Sequence, residues 1–167
     1  NPDEISRKDL RINDYVIVRR AGDVIPEVVT SIPERRSGSE IEWSLDKRCP
    51  CGDFDIVYVK DEKVPRCSGS YDCKISKKEM LIYFASKSGL DIEGLGRETV
   101  ETLIANKLVK NFEDFYSLTY EELISLPQWK EKKTKNLLEA IEKSKNSEQE
   151  KLLPALGIRY VGKQTSK

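Results

Sequence analysis

All four cysteines of this 167-residue chain lie between positions 49 and 73. They form two close pairs, Cys49-Pro50-Cys51-Gly52 and Cys67-Ser68-Gly69-Ser70-Tyr71-Asp72-Cys73, separated by the polar loop 52–66. Two thiol pairs carried on separate turns can close a tetrahedral Zn²⁺ site, and the metal then ties the turns together. Disulfides and four unrelated buried thiols are the alternatives. Disulfides need an oxidising compartment, for which no signal-peptide pattern argues. The expected metal is one structural Zn²⁺ on Cys49, Cys51, Cys67 and Cys73. A catalytic zinc is disfavoured, because the chain has no histidine and four thiolates leave no position open for water. The single residue between Cys49 and Cys51 is a shorter spacer than the usual two, and it tightens the first turn.

Composition narrows the function. Lys+Arg and Asp+Glu both number 29, so the net charge is zero. Bulk charge therefore cannot attach this chain to nucleic acid, and any such binding must come from local patches and backbone geometry. No apolar run is long enough to span a membrane. The length admits one domain or two small ones.

The cysteine stretch separates two kinds of sequence. Residues 1–48 read as β. Asp14-Tyr15-Val16-Ile17-Val18-Arg19-Arg20 is a β-branched run, Ala21-Gly22-Asp23 a turn, and Val24-Ile25-Pro26-Glu27-Val28-Val29 a second strand. Pro26 marks that strand as an edge or a bulge, and Ile41-Glu42-Trp43 is a further short strand. These are too few strands for a closed sheet, so part of a small β-barrel is expected. From Ser76 the period becomes helical. Capping-box spacings at Ser76/Glu79, Thr119/Glu122 and Ser147/Glu150 each predict a helix start. The first helix runs to about Lys87, with Met80, Leu81, Tyr83 and Phe84 on its inner side. Others start at Arg97, with Val100, Leu103 and Ile104 inward, and at Glu131, with Leu137, Leu138 and Ile141 inward and an end near Lys145. Asn111–Tyr116 reads as a short helix or turn.

A repeat runs through the helical part: helix end, short hairpin, new helix, at 90–97, 123–132 and 156–163. The first copy, Gly94-Leu95-Gly96-Arg97, has the helix-hairpin-helix pattern. Glycine allows positive φ and close backbone approach, the apolar residue plugs the hairpin into the core, and the next helix starts with N–H groups that can bind a phosphate oxygen. Such contacts position a protein on DNA without reading its sequence. Asp91 and Glu93 beside this copy are acidic. The second copy has Gln128 and Lys130 in place of the glycines and Trp129 as its plug, with Lys130, Lys132 and Lys133 to supply charge. The third has Tyr160 and Gly162. Plain helix C-caps in an α-bundle are the alternative for each.

Residues 9–26, the four-cysteine finger, Asp91-Ile92-Glu93-Gly94-Leu95-Gly96, the helix around Asn136-Leu137-Leu138 and Leu156-Gly157-Ile158-Arg159 together resemble the bacterial NAD⁺-dependent DNA ligases. They occur in that family's order and cover essentially the whole chain. Departures are the short first cysteine spacer and the second hairpin without glycine. The resemblance implies an α+β, multi-domain fragment: the C-terminal part of an OB-fold at 1–46, a four-cysteine zinc finger at 47–75 and a truncated helix-hairpin-helix domain at 76–167. It implies the DNA-clamping portion of an enzyme that seals 5′-phosphate/3′-hydroxyl nicks in duplex DNA during replication and repair. The nucleotidyltransferase domain, with its Lys-x-Asp-Gly lysine, would lie upstream and bind NAD⁺ and Mg²⁺, so no catalytic residue is expected here. No Lys-x-Asp-Gly occurs in the 167 residues. Nicked double-stranded DNA is the implied partner, and the protein is expected to be a cytoplasmic, nucleoid-associated monomer without membrane contact. The implied DNA-facing residues are Arg19, Arg20 and Gly22 in the barrel, then Gly94, Leu95, Gly96 and Arg97, then Lys130, Lys132 and Lys133, and last Arg159 and Gly162. Arg35-Arg36 and Lys47-Arg48 read as solvated faces. The rival reading is a non-enzymatic zinc-ribbon/helix-hairpin-helix DNA-binding module of a repair or recombination factor. A third is a purely structural interaction domain.

Overall fold

A computed structural model describes residues 2–21, 25–59, 62–158 and 161–162, with Ala21 described by its backbone alone. The chain divides into two units, Asn1–Gly69 and Ser70–Lys167. The expected turn residue Gly22 and the candidate Arg159 lie outside the described residues.

The first unit is built from short antiparallel ribbons after one helical turn and a half. That helix, α1 (Pro2–Arg7), corrects the expectation that residues 1–48 are all β. Its signals are local: a proline at its first position, Asp3 and Glu4 in the first turn and Arg7 in the last, each matching the free groups and dipole of a helix end. The strands β1 (Arg11–Ile12), β2 (Val16–Ala21), β3 (Ile25–Ser31), β4 (Ile41–Glu42), β5 (Ile56–Val57) and β6 (Arg66–Cys67) pair as β1–β4, β2–β3 and β5–β6. No barrel closes among the described residues. Ile17 pairs with Thr30 and Val18 with Val28, so Val29 is an extra residue and bulges β3. Pro26 pairs with Arg20 away from that bulge. It is tolerated because each strand of a two-stranded ribbon is an edge.

Arg36 holds this unit's loops together and is not the solvated charge expected. Its guanidinium donates to both Asp14 carboxylate oxygens at 2.7 and 2.8 Å, to Asp9 Oδ2 at 2.7 Å and to the Asp9 carbonyl at 2.6 Å. The Asp14 side chain is 1% exposed. Those bonds from Arg36, with the Arg11 amide, hold the Asp14 carboxyl down at about 2. A planar fork suits this multidentate role where an ammonium would not. Arg35 lies instead against the Tyr15 ring, 5.4 Å from its centroid.

The second unit is helical: α2 (Lys74–Ala85), α3 (Arg97–Ala105), α4 (Tyr120–Ile124), α5 (Glu131–Ser144) and α6 (Gln149–Ala155), with 3₁₀ turns at Ser70–Asp72 and Glu113–Ser117. Together with the ribbons this makes an α+β chain. Thr119 and Glu122 form the expected reciprocal capping box. The other two boxes do not form. The cap of α2 is Cys73, whose sulfur accepts from the Ser76 amide, so Ser76 is already the third helical residue. The cap of α6 is Glu148, without a side-chain bond. Ser147 is still tied by its amide to Ser144 at the end of α5, which pushes the extended cap one residue on. The helix α2 also stops at Ala85, short of Lys87, where Ser86 caps it by bonding back to Ile82 and Tyr83. The inner stripe of α2 is Leu81, Ile82, Phe84 and Ala85, while Tyr83 is 41% exposed.

The core lies among these helices. Val100, Leu103, Phe115 and Leu123 are fully buried. Phe84 packs against Phe112 and Phe115 with ring centroids 4.8 and 6.1 Å apart, within the range of favourable aromatic pairs. From α5, Leu137 and Ile141 are buried and Leu138 half-buried. Among the described residues no helix is long and apolar enough to cross a membrane.

Candidate metal centre and nucleic-acid interface

The first thiol pair sits on a tight turn. The Gly52 amide donates to the Cys49 carbonyl at 2.9 Å, and the Cys49 amide donates to the Phe54 carbonyl at 2.9 Å. Gly52 has φ +87°, a conformation costly for a residue with a Cβ. The pair therefore occupies the first and third positions of a β-turn, which is how one spacer residue suffices. The second pair is positioned differently. Cys67 ends the β5–β6 ribbon opposite Ile56. Gly69 then passes under the Phe54 ring so closely that a Cβ there would lie 2.2 Å from a ring carbon. The 3₁₀ turn Ser70–Asp72 delivers Cys73 to the head of α2.

These turns bring all four cysteine sulfurs within 4.8 Å of one another. Cys49, Cys51 and Cys73 are buried and Cys67 is half-buried, and none is in a disulfide. A tetrahedron with metal–sulfur bonds of about 2.3 Å has edges of about 3.8 Å. The observed spread fits that figure after a small inward adjustment, and an all-thiol donor set fits a closed, soft site. The four residues can hold one metal ion.

The hairpins repeat one backbone device. The Leu95 amide bonds the Ile92 carbonyl at 3.1 Å, the Trp129 amide the Leu126 carbonyl at 3.2 Å, and the Val161 amide the Ile158 carbonyl at 3.1 Å. In the first copy Gly94 has φ +86° and in the second Gln128 has φ +67°. The second hairpin thus closes with the same left-handed residue although it lacks glycine. Leu95 and Trp129 are the buried plugs, 2% and 8% exposed. Gly96 and Lys130 follow as extended N-caps of α3 and α5, neither with a side-chain capping bond. Uncapped first-turn amides are donors for an oxyanion. Gly162 is exposed; Tyr160 of the third copy lies outside the described residues.

The two complete hairpins differ in charge. Arg97 donates through both terminal nitrogens to the Glu79 carboxylate at 2.8 Å each, which lowers the Glu79 pKa. Lys78 reaches Glu101 at 3.1 Å. In the second hairpin Lys130 and Lys132 are exposed, and Lys133 Nζ lies 4.2 Å over the Trp129 ring, a cation–π contact.

In the β2–β3 ribbon Arg19 pairs with Glu27, its Nη2 3.4 Å from a carboxylate oxygen, while Arg20 is opposite Pro26. Both are exposed. Successive strand residues point to opposite faces, so the two arginines do not share one surface of this ribbon. Sequence reasoning missed Arg36 and the Glu79 partner of Arg97. Nothing local announces either contact.

Comparison with known proteins finds relatives along the whole chain. Residues 1–40 match the NAD-dependent DNA ligase OB-fold domain. The whole chain is 42% identical over 167 residues to a DNA ligase of Anoxybacillus flavithermus, covering 25% of that protein. It is 46% identical over 162 residues, 97% of this chain, to a DNA ligase of Legionella pneumophila, covering 24% of it. The ribbons, the four-cysteine centre and the hairpins all fall within the matched stretch, and the chain is similar over residues 1–40 to the OB-fold domain of NAD-dependent DNA ligases and over its whole length to DNA ligases, spanning about a quarter of the length of the relatives it matches.

Proposed function

We propose that this chain is the DNA-clamping portion of an NAD⁺-dependent DNA ligase that seals 5′-phosphate/3′-hydroxyl nicks in duplex DNA. Residues 1–46 belong to its OB-fold, 47–75 to a zinc finger and 76–167 to a helix-hairpin-helix domain. The observation that carries the reading is the repeated hairpin. One left-handed residue, one buried plug and one uncapped helix start recur at Gly94–Gly96 and Gln128–Lys130. Two such helix starts offer backbone N–H groups to two phosphates, and the contact is indifferent to base sequence, as sealing any nick requires.

In this reading Zn²⁺ is the ion held by Cys49, Cys51, Cys67 and Cys73, and when bound it supplies a structural cross-link rather than chemistry. Arg97 fixes the start of α3 through Glu79, leaving its amides to face the phosphate. Lys130 and Lys132 add charge at the start of α5. Arg19 or Arg20, with Gly22 at the turn, Arg159 and Gly162 extend the contact. Adenylation from NAD⁺ and the Mg²⁺ it uses belong to the nucleotidyltransferase portion of the protein. That protein acts as a cytoplasmic, nucleoid-associated monomer.

The test is fluorescence anisotropy of the zinc-loaded chain against nicked and intact duplexes at low salt. Binding to duplex DNA, with preference for the nick, is expected. Absence of binding to either at low salt overturns the clamp.

A further inference from the structure

A pocket of about 340 Å³ opens on the second unit, between the 3₁₀ turn Ser70–Asp72, the helix α2 and the lead-in to the 3₁₀ turn Glu113–Ser117. That volume lies at the small end of the range for ligand sites; it takes one side chain with its peptide group. The floor is apolar, with Leu81 buried and Met80 and Phe112 half-buried. Tyr71, 50% exposed, adds an aromatic wall. Asp72 and Glu113 also line the pocket and are exposed, and neither carboxylate has a hydrogen bond or ion pair among the described residues. Glu79, Glu101 and Glu131, by contrast, are all paired with cations. The half-buried Lys77 likewise has no carboxylate partner among the described residues, and the Asn111 side-chain amide makes no hydrogen bond there.

Each of these features selects an occupant. Two carboxylates against one ammonium favour a cation and disfavour a phosphate. Aromatic walls favour a planar, weakly hydrated cation, which is a guanidinium rather than an ammonium. An apolar floor suits the aliphatic stem of such a side chain. The remaining donors, Lys77 and Asn111, match a peptide carbonyl. We propose that this pocket docks an arginine side chain presented by a partner protein. The guanidinium pairs with Asp72 and Glu113 against the aromatic wall, and Lys77 and Asn111 donate to the carbonyl of the same arginine. No residue of the pocket belongs to either complete hairpin, so the proposal stands independently of the DNA-clamping reading.

The test is an NMR titration of the full 167-residue chain with N-acetyl-arginine N-methylamide. N-acetyl-norleucine N-methylamide, which has an apolar stem without the charge, and AMP are titrated in parallel. Saturable shifts are expected from the arginine probe at Tyr71, Lys77, the Met80 methyl, Asn111 and Phe112. The norleucine probe should bind about fivefold more weakly, the factor for two exposed ion pairs and a cation–π contact. Glu113→Gln and Asp72→Asn should each weaken the arginine probe about twofold, and together remove its advantage over norleucine. Unpaired carboxylates can be neutralised without loss of a fold contact, and unchanged shifts outside the pocket check this for each variant. Equal binding of the two amides, or no saturable shift at these residues, overturns the proposal. Tighter binding of AMP at the same residues also overturns it, since the occupant is then a nucleotide. So does an arginine probe that turns a dimer of the chain into monomers, read by translational diffusion, since the occupant is then a second copy.

Discussion

Asp14 and Arg36 join parts of the chain 22 residues apart, and they make the first unit sensitive to acid. The Asp14 carboxyl is held at about 2, chiefly by hydrogen bonds from Arg36. A carboxylate whose folded pKa is depressed stabilises the fold fully above its ordinary value near 4 and loses that contribution as pH falls through the folded value. Thermal unfolding of the first unit, followed by Tyr15 signals, is therefore expected to fall steeply between about pH 4 and pH 2. Asp14→Asn should unfold at lower temperature at neutral pH but show a flatter slope in that window. Groups away from Asp14 contribute alike in both proteins, so the difference in slope isolates Asp14; equal slopes refute its role. Thr134 is the opposite case. Its hydroxyl is fully buried, with no hydrogen-bond partner among the described residues. Thr134→Val replaces an unsatisfied polar atom by a methyl of similar shape and is expected to raise stability by about 1 kcal/mol. A denaturation midpoint that drops instead would mean that the hydroxyl has a partner in solution.

At the scale of elements, local chemistry was legible and long-range chemistry was not. The β2–β3 ribbon followed from a β-branched run, a turn and a second run, and the Thr119/Glu122 box from two residues three apart. The start of α2 was misplaced because a sulfur cap is outside the usual hydroxyl and carboxylate vocabulary. Arg36 was misread because Asp9 and Asp14 lie 27 and 22 residues away in sequence. The cysteine cluster was legible because all four thiols fall between positions 49 and 73. The second hairpin was harder, since its glycines are missing and the repeat survives only in the backbone. That difference is measurable. Gly94 has φ +86°, and a Cβ there would lie 3.4 Å from Leu137 Cδ1. Gly94→Ala should cost about 1–2 kcal/mol, the penalty for a side chain in the left-handed region. Gln128 already bears that strain, so Gln128→Gly trades its relief against greater backbone freedom when unfolded and should change stability by under about 0.5 kcal/mol. Chemical denaturation of both variants decides it. If Gln128→Gly costs as much as Gly94→Ala, the glutamine side chain contributes a contact of its own.

Over the whole molecule the charges cancel, 29 against 29, so salt dependence is a way to test where the proposed clamp would hold DNA. Each phosphate contact by a cation contributes about 0.9 to the slope of log K against log salt. A protein bound through diffuse positive charge would spread that slope over many residues; this one has no such excess. At the first hairpin Asp91 and Glu93 flank the glycines, and Arg97 is already spent on Glu79. What that hairpin offers is backbone amides, which displace no counterion of their own. At the second, Lys130 and Lys132 stand exposed beside the start of α5. The slope measured with a nicked duplex should therefore fall by about 2 in the Lys130→Ala/Lys132→Ala double variant. Lys133 is left in place because it covers Trp129, so folding is not disturbed. Arg97→Ala should weaken binding by loosening α3 yet leave the slope within experimental error. Identical slopes in the double variant and the wild type would remove the second hairpin from the interface. A slope reduced by Arg97→Ala alone would mean that DNA draws Arg97 away from Glu79, reversing the division of labour between the two hairpins.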